Sequence, residues 1–501
     1  MSVRGALMVC GTASDVGKSR IVAGLCRALV RAGLRVAPFK AQNMALNSMV
    51  TASGHEIARS QAHQAAAARI DPEVEMNPVL LKPTGEMTSQ LVVMGRAAGE
   101  VRAADYGAST RSLSEIVAAA LSSLRARYDV VVAEGAGGAA EINLLHRDIV
   151  NLPLARRAGI PAILVGDIER GGVFASIYGT VALLPEELRA QLGGFVVNKL
   201  RGDPHLLDSG IAEIERRCGL PCLGVIPHLG LLTIDAEDSL ALGTGRAAAA
   251  PRPGSDALDV AVVHLPHLAN FTDLDPLAIE PGVAVRFVSS AATLGDPDLV
   301  VLPGSKATVA DLRWLREHGV DRAIGAALRR DSTLLGICAG YQMLGATIDD
   351  DVESGAGKVA GLGLLDVHTV FERDKCTRQR RGRCPSGVPV DGYEIHHGRP
   401  LRGPGSRSWL ALEDGSDVEH EGVADPARGI WATSLHGVLE ADAFRRAFLS
   451  SVATRRAKQI DASSLSFESC RQAEIDLVAN AIETHIDLDA VRALIDAGAP
   501  R

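Results

Sequence analysis

A cysteine between small residues is the first feature that points to chemistry. In the stretch GICAGYQMLG, residues 336–345, an apolar run leads into Cys338 and a helix-like pattern follows it. Small neighbours permit a strained strand-to-helix turn that exposes the sulfur, as in the serine turn of hydrolases. A helix that begins at this turn points its N-terminus at the sulfur and favours the thiolate. The stretch therefore predicts a nucleophilic cysteine.

Such a nucleophile needs a base, and His436 is the best placed of the 14 histidines. It follows a strand-like run in IWATSLHGVLE, downstream of Cys338. We therefore predict that Cys338 and His436 are catalytic. The alternative is a degenerate domain used as a scaffold, in which Cys338 is an ordinary buried thiol and His436 is structural.

A glycine-rich stretch near the N-terminus predicts a second kind of chemistry. Residues 11–19, GTASDVGKS, follow a strand pattern and precede an amphipathic helix pattern. Such a loop presents backbone N–H groups and a helix N-terminus to phosphates. Five residues separate the two glycines, one more than in the usual P-loop, but Gly-Lys-Ser is intact. The predicted nucleotide-binding residues are Gly11, Thr12, Gly17, Lys18, which would reach the β and γ phosphates, and Ser19, which would hold Mg²⁺.

Alternating apolar runs and Ala-rich stretches must position these residues. The rhythm is that of βαβ units with a mainly parallel sheet, and it occurs twice. Residues 242–257, rich in Gly, Ala and Pro, interrupt it and are interpreted as a linker. The predicted fold class is α/β: two doubly wound, mainly parallel-sheet domains with a helical C-terminal tail. The predicted bounds are 1–245, 257–443 and 444–501.

Composition excludes several classes of function. The chain has 501 residues, too many for one ordinary core, and is 47% hydrophobic and 22% charged, which is typical of globular proteins. The formal net charge of −8 argues against a nucleic-acid partner. No apolar run approaches the length of a membrane span, and no signal-peptide pattern precedes the glycine-rich loop, so we expect a cytoplasmic enzyme without a membrane partner. The oligomeric state stays open, a homo-oligomer included.

A basic stretch at residues 372–392 contains Pro and Gly. We interpret it as a surface loop inside the second domain.

The phosphate loop resembles that of dethiobiotin synthetase and its relatives, which begins Gly-Thr and carries Val-Gly-Lys-Ser/Thr. Those enzymes use ATP to convert a carboxylate or carbamate into a mixed phosphoric anhydride, which an amine then attacks. The resemblance implies that Lys40, in VAPFK, lies near the reacting group. It also implies that Glu134, in VVVAEGAGG, holds Mg²⁺ with Ser19. Asp167, which ends the strand pattern AILVGD, is either a second metal candidate or a helix-capping aspartate. Phosphoryl transfer depends on positioning and charge neutralisation, which these groups supply.

The cysteine turn, together with the later Leu-His-Gly, resembles class I glutamine amidotransferase domains. These hydrolyse glutamine through a cysteinyl thioester and release ammonia. The resemblance implies that Cys338 is the nucleophile, that His436 is the base and that Gln342 helps to hold glutamine. The expected oxyanion-hole donors are the backbone N–H groups of Gly304 or Ser305, in VVLPGSK, and of Ala339.

One position departs from that pattern. Many members carry a glutamate two residues after the histidine, where this chain has Val438, and Glu440 has the wrong spacing. We therefore expect a Cys–His dyad unless a third residue comes from elsewhere.

The order of several segments along nearly the whole chain resembles cobyric acid synthases: QNMALNS, EGAGGAAEINLLHRDIVNL, DIERGGVFAS, ANFTDLDPL and YEIHHGR. This resemblance implies ATP- and glutamine-dependent amidation of the b, d, e and g carboxylates of (adenosyl)cobyrinic acid a,c-diamide, through acyl phosphates, in cobalamin biosynthesis. The substrates would be L-glutamine and a corrinoid polycarboxylic acid, with ATP and Mg²⁺. Lys40, Gln42 and Asn43, and with them Asn47, would contact the corrinoid, although an Asn-rich turn can also satisfy its own backbone.

Two alternatives remain. Another amidotransferase of the same build, such as cobyrinic acid a,c-diamide synthase, would share the cysteine turn and the phosphate loop, but QNMALNS argues against it. A partitioning-type ATPase would explain the phosphate loop but not Cys338 with His436.

Overall fold

The computed structural model describes residues 5–85, 87–102, 106–230, 234–235, 256–460 and 463–499. Residues 242–255 of the predicted linker lie outside this range, and so does position 245, where we placed the end of the first domain. The domain bounds therefore remain predictions.

The described part of the N-terminal half begins with strand β1 and contains a first group of strands and helices. The strands are β1 (Gly5–Gly11), β2 (Val36–Phe39), β3 (Gln42–Met44), β4 (Ser48–Val50), β5 (Glu56–Ala58), β6 (Val79–Gly85), β7 (Thr88–Val93), β8 (Arg96–Arg102), β9 (Val130–Glu134), β10 (Ala162–Asp167), β11 (Leu192–Leu200) and β12 (Cys222–Pro227). The helices are α1 (Lys18–Arg31), α2 (Arg59–Ala67), α3 (Tyr106–Arg127), α4 (Leu152–Ala158), α5 (Val173–Leu183), α6 (Glu186–Arg189) and α7 (Asp208–Cys218).

A parallel six-stranded sheet forms the centre of this half, in the order β12-β11-β10-β1-β9-β2. Strands β1, β9 and β10 are almost wholly buried because helices cover both faces, which explains their continuous apolar sequences. Strand β1 lies between β9 and β10, so the carboxyl ends of these three strands meet at one edge. Ligands of open α/β sheets bind at such an edge.

The C-terminal half contains a second group of elements. The strands are β13 (Leu258–Val263), β14 (Val283–Val288), β15 (Leu299–Leu302), β16 (Thr333–Ile337), β17 (Thr347–Asp350), β18 (Gly357–Ala360), β19 (Val367–Arg383), β20 (Pro389–Arg402), β21 (Leu410–Asp414), β22 (Asp417–Glu421), β23 (Val423–Asp425) and β24 (Ile430–Thr433). The helices are α8 (Asp275–Ala278), α9 (Ala291–Leu294), α10 (Thr308–Glu317), α11 (Val320–Leu328), α12 (Ala339–Leu344), α13 (Asp442–Arg455), α14 (Phe467–His485) and α15 (Leu488–Ala497).

A second six-stranded sheet runs β14-β13-β15-β16-β24-β23 and is parallel except for the pair β23–β24. Strand β16 lies beside β24, so the segments that follow these two strands start at neighbouring points of one edge. The predicted α/β class, with two mainly parallel-sheet domains and a helical tail, is confirmed.

The prediction of a surface loop at residues 372–392 is wrong. Apart from the turn at residues 384–388, these residues belong to β19 and β20, which pair from Val367 and Arg402 to Arg383 and Pro389, with one irregularity along the way. The basic side chains have partners in the sheet: Arg378, for example, binds Glu394 and Glu419. The pattern that suggested a solvated loop therefore reflects ion pairs across a long hairpin.

Residues 42–102 carry strands that the sequence analysis did not predict. They form the sheet β3-β6-β7-β8 and the ribbon β4–β5, inserted between β2 and α3. This insertion contacts the hairpin β19–β20, because the Tyr393 hydroxyl donates to the Ser48 carbonyl (2.9 Å) and the Gln379 amide to the Val50 carbonyl (2.9 Å). The two halves thus meet beside the insertion.

The C-terminal helices return to the first sheet. Helix α14 packs on α1 so closely that a Cβ on Gly24 would lie 2.6 Å from Ile482 Cγ1. The buried Arg27 of α1 pairs with Asp476 at 2.6 Å. Among the described residues, no helix combines the length and the apolar character that a bilayer crossing requires.

Candidate active site

Cys338 occupies a strained turn between β16 and α12. Its backbone has φ 51° and ψ −108°, a conformation that residues with a side chain rarely adopt. A Cβ on Gly340 would lie 1.9 Å from the Leu302 carbonyl oxygen, so only glycine fits there. Cys338 is held in place by its own N–H, which donates to the Thr433 carbonyl at 2.8 Å. The residue types around the cysteine are thus dictated by close backbone approach.

His436 follows β24 and is hydrogen-bonded to the Cys338 side chain. Its Nδ1 donates to Asp273 Oδ2 at 2.6 Å, and the Gly437 N–H donates to Asp273 Oδ1 at 2.8 Å. All three side chains are at least nine-tenths buried. The expected dyad is therefore extended by a third residue, Asp273, which comes from the short helical turn Phe271–Leu274.

The charges of this group favour the protonated form of His436. Burial lowers the pKa of His436, but the Asp273 carboxylate and the Cys338 sulfur outweigh it and raise the pKa to about 10. The imidazolium is therefore the stable form near neutral pH, and it is the natural partner of a cysteine thiolate. Asp273 also fixes the tautomer, because a carboxylate on Nδ1 leaves Nε2 to face the sulfur.

The predicted oxyanion-hole residues lie around the same turn. Ala339 is the first residue of α12, where an N–H has no acceptor within the helix. A Cβ on Gly304 would lie 3.0 Å from His436 Cε1, so the Gly304 backbone borders the imidazole. Ser305 is positioned by its hydroxyl, which donates to the buried Asp311 at 2.6 Å. These three residues line one pocket with Cys338.

Gln342 lies on the face of α12 that borders this pocket. Its amide is within 3.5 Å of the Gly398 carbonyl and its oxygen within 3.4 Å of the Thr308 hydroxyl, and it is 2% exposed. The structure therefore places it beside Cys338, as a residue that shapes the pocket wall.

The phosphate loop follows β1 and ends where α1 begins. Gly17 has φ 96°, and a Cβ there would lie 2.3 Å from Asn198 Nδ2, so both the conformation and the space require glycine. The Thr12 N–H donates to the Val165 carbonyl (2.9 Å), and Gly11 accepts from the Ala139 N–H (2.9 Å), which fixes the start of the loop. The longer spacing between the glycines is thus accommodated by an ordered turn.

Charged and polar groups converge on the buried Glu134 at the end of β9. Oxygen Oε1 accepts from the Ser19 hydroxyl and from Lys40 Nζ, both at 2.8 Å. Oxygen Oε2 accepts from Gln64 Nε2 at 2.5 Å. Lys18 Nζ lies across the loop on the carbonyls of Ala13 (2.9 Å) and Gly137 (3.0 Å). The structure therefore brings Lys18, Ser19, Lys40 and Glu134 together.

Asp167, the second metal candidate, has a different role in the structure. Its carboxylate pairs with Lys199 Nζ at 2.8 Å, and the same amine donates to the Asp15 carbonyl at 2.6 Å. Asp167 thus supports the phosphate loop from the neighbouring strand.

The residues predicted to contact the corrinoid differ in their exposure and in their hydrogen bonds. Gln42 is partly exposed on β3. Asn43 is buried, and its amide donates to Ser60 and Gln61, both at 3.0 Å. Asn47 faces the second domain, where its Oδ1 accepts from the Phe271 N–H at 3.1 Å. The side chains of Asn43 and Asn47 thus form hydrogen bonds within the protein.

Asn47 belongs to a contact between the first half of the chain and the segments around His436. The Ser48 N–H donates to Asn270 Oδ1 at 2.9 Å, and the Tyr393 hydroxyl donates to the Ser48 carbonyl. The Tyr393 ring stacks on His436 with centroids 5.6 Å apart. Three residues beyond Asn270 lies Asp273. The segment after β3 therefore contacts both structures that orient the histidine.

Sequence reasoning missed Asp273, Gln64 and Tyr393. Asp273 lies in ANFTDLDPL and Tyr393 in YEIHHGR, two segments that were noticed only as a resemblance. No spacing relative to His436 marks either residue, because both reach the site from other parts of the chain.

Comparisons with known proteins identify the families that the two halves match. Residues 7–238 match the family described as the CobQ/CobB/MinD/ParA nucleotide binding domain, and residues 259–444 match the CobB/CobQ-like glutamine amidotransferase domain. The chain is 50% identical to a cobyric acid synthase of Nocardia farcinica, over 99% of this chain and 98% of that protein. It is 51% identical to a cobyric acid synthase of Rhodococcus jostii, over 99% and 96%. A Streptomyces coelicolor relative of the same name is 49% identical over 100% and 98%.

Proposed function

The chain belongs to the cobyric acid synthase family, and from this premise we propose that it amidates the b, d, e and g carboxylates of (adenosyl)cobyrinic acid a,c-diamide to give (adenosyl)cobyric acid. It is a glutamine-dependent, amide-forming ligase with a nucleotide-binding domain. Under this proposal ATP activates each carboxylate as an acyl phosphate, and ammonia from glutamine displaces the phosphate.

One observation carries the proposal. A phosphate loop whose lysine and serine lie beside a buried glutamate, and a cysteine–histidine–aspartate group, occur in two domains that contact each other. Neither group alone makes an amide from glutamine. Together they supply an activated acid and a source of ammonia.

The glutaminase half follows from the geometry at Cys338. The thiolate attacks the amide carbon of glutamine, and the N–H groups of Ala339 and of Gly304 or Ser305 stabilise the oxyanion. The His436 imidazolium gives its proton to the departing ammonia, which leaves a thioester. The neutral imidazole then takes a proton from water, whose attack releases glutamate and restores the thiolate. Asp273 holds the ring in one orientation throughout.

The synthetase half is assigned to the group around Glu134. A carboxylate oxygen of the corrinoid attacks the γ-phosphorus of ATP, and Lys18 and Lys40 offset the charge that develops on the phosphoryl oxygens. The Ser19 hydroxyl and the Glu134 carboxylate are hard oxygen donors of the kind that Mg²⁺ prefers, so they fit this ion. When bound, Mg²⁺ would supply further charge neutralisation at the phosphates. Lys40, which pairs with Glu134 at 2.8 Å, would lie beside the reacting phosphoryl group under this proposal.

Holding both halves in one chain protects the ammonia. Unprotonated ammonia is the nucleophile, and a short, shielded transfer keeps it from water and at high effective concentration. The contact of Asn47 and Ser48 with Phe271 and Asn270, which joins the two halves, supports such a transfer.

The experiment that tests the proposal is product mass spectrometry with two nitrogen sources. The wild-type protein, given cobyrinic acid a,c-diamide, ATP and glutamine, is expected to convert the four named carboxylates. Cys338→Ala should lose the reaction with glutamine and keep it with ammonium chloride, whereas Cys470→Ala, at a cysteine outside both sites, should keep both. If the corrinoid mass does not change with either source, the substrate assignment is wrong.

A further inference from the structure

The pocket over Cys338 is lined by both domains. From the second domain come Gln342, His436 and the histidines of YEIHHGR, and from the first domain comes Lys82 of β6. We propose that Lys82, together with Lys375 of β19, binds the α-carboxylate of glutamine, so that the glutamine pocket is complete only across the domain contact. This inference rests on the proposed glutaminase function and adds a specificity residue to it.

Lys82 and Lys375 approach the same carboxylate from opposite domains. Lys82 Nζ donates to Glu56 Oε1 at 2.7 Å and to the Ser48 hydroxyl at 2.8 Å. Lys375 Nζ donates to Glu56 Oε2 at 2.6 Å. An ammonium has three donors, so these two partners of Lys82, among the described residues, leave one N–H for a ligand.

The charges of this cluster call for an anion. Two carboxylates, Glu56 and Glu353, face three lysines, since Lys306 pairs with Glu353 in the same pocket. Glu56 alone accepts from both Lys82 and Lys375, so positive charge exceeds negative charge at this end of the pocket. Burial also lowers the pKa of Lys82 to about 8, which leaves the amine mainly protonated near neutral pH. A carboxylate ligand would remove the imbalance.

Unpartnered polar atoms at the same place also indicate a polar ligand. His396 is 7% exposed and lines the pocket, and its Nδ1 has no hydrogen-bond partner among the described residues. Gln90 lies directly opposite Lys82 in the strand pair β6–β7, and its buried Oε1 also has no hydrogen-bond partner among the described residues. Buried polar groups are nearly always hydrogen-bonded in native proteins, so the Nδ1 atom of His396, which lines the pocket, indicates a place where a polar molecule fits.

Glutamine is the molecule that matches both ends of this pocket. Its side-chain amide must reach Cys338, and its α-carboxylate then lies at the far end of a five-carbon chain. The lysine cluster is the positively charged part of the same pocket. Because Lys82 comes from the first domain, binding of glutamine would depend on how the insertion packs against the hairpin.

The test compares glutamine with 4-aminobutanamide, the same molecule without the α-carboxylate. In the wild-type full-length protein, we expect glutamine to be hydrolysed with the higher kcat/KM. In Lys82→Met, the KM for glutamine should rise roughly ten-fold or more, since a charge-assisted hydrogen bond is lost, while kcat/KM for 4-aminobutanamide stays the same. Lys82→Arg should recover part of the preference, and Lys358→Met, which removes an exposed lysine on β18, should change nothing.

Several outcomes would overturn the inference. A wild-type protein that does not prefer glutamine has no site for the carboxylate. Equal losses on both substrates in Lys82→Met would mean a structural lysine, and a rise in the KM for the corrinoid alone would assign Lys82 to the other substrate. If Lys82→Met yields little folded protein, as judged by ammonia-dependent synthesis, Lys375→Met and Lys82→Arg decide instead. Failure of the proposed function looks different, since Cys338→Ala would then still use glutamine.

Discussion

Glu134 and Asp273 are both buried carboxylates at the centre of a site, but they hold their partners differently. Glu134 accepts from Ser19, Lys40 and Gln64, which come from three separate elements of one domain. Asp273 accepts from the side chain of His436 and from the next backbone N–H. The partners of Glu134 are those that a nucleotide and a metal ion would take over. Asp273 can orient His436 only while both of these hydrogen bonds persist.

This comparison suggests two modes of operation. Under the proposed function, the phosphate-loop group would exchange its present partners for ligands. The cysteine group would instead act by keeping the geometry that it already has. Substitutions in the first group should therefore remove a step outright, whereas loss of Asp273 should weaken a step and change its pH dependence.

The largest expected effect follows from Lys18→Ala. The Lys18 ammonium is expected to stabilise the negative charge that develops on the phosphoryl oxygens. Its loss should lower synthesis roughly a hundred- to a thousand-fold, with glutamine or with ammonium chloride as the nitrogen source. Product formation measured by mass spectrometry checks this, with Lys358→Ala as the control for loss of a lysine elsewhere. If Lys18→Ala kept either reaction, Lys18 would not act on ATP, and the contrast between the two sites would fail.

A smaller effect is expected from Asp273→Asn. A hydrogen bond between charged groups contributes about 1.5–3 kcal/mol, which corresponds to roughly a ten- to hundred-fold loss of glutaminase kcat. Ammonia-dependent synthesis should be spared. Asp349→Asn, at an exposed carboxylate on β17, is the matched control.

The pH profile of Asp273→Asn sharpens this prediction. The raised pKa of His436, about 10, means that the imidazolium persists below that value and is lost as the pH rises through it. Without the Asp273 charge the pKa falls, so the alkaline limb of glutaminase activity should move to lower pH. An unchanged limb would mean that Asp273 supports the fold but does not stabilise the charged histidine.

The same contrast explains what the sequence could predict. The phosphate loop is a contiguous motif between a strand and a helix, so it can be identified from local pattern, whereas Glu134 was predicted from the resemblance of its segment to dethiobiotin synthetases. The strands of both parallel sheets are predictable for the same reason, because they are continuous apolar runs. Cys338 and His436 could be identified because small residues and a strand pattern surround them.

Contacts between distant segments could not be predicted. Asp273 precedes His436 by 163 residues, and its neighbours give no sign that its carboxylate faces a histidine. The hairpin of β19 and β20 was misinterpreted because its charged residues pair across strands, which only the register shows. Lys82 reaches the Cys338 pocket from an insertion whose strands carry mixed polar and apolar residues. In each case the partner was set by tertiary packing.

A third buried carboxylate, Glu421, tests the comparison between Glu134 and Asp273. Its substitution has the smallest expected effect, which is on the stability of the fold. Among the described residues it accepts only from neutral donors, the Thr433 hydroxyl (2.6 Å) and the Ser434 N–H (2.7 Å). Burial raises its pKa to about 7, more than these hydrogen bonds lower it. The carboxylates beside Lys40 and His436 have cationic partners, and this one does not.

Glu421→Gln should therefore stabilise the protein at alkaline pH. As the pH rises from the ordinary carboxyl pKa of 4.5 to about 7, the unfolded chain releases the Glu421 proton while the folded protein keeps it, so the free energy of unfolding falls in that window and then levels off. The shift corresponds to roughly 3 kcal/mol. Glutamine lacks this penalty, and its amide can accept from the Ser434 N–H and donate to the Thr433 hydroxyl.

The unfolding midpoint of Glu421→Gln should exceed that of the wild type at pH 8 and match it more closely at pH 5. Equal midpoints at pH 8 would mean that neutral donors suffice for a buried carboxylate, and the cations at Glu134 and Asp273 would then be there for chemistry rather than for stability.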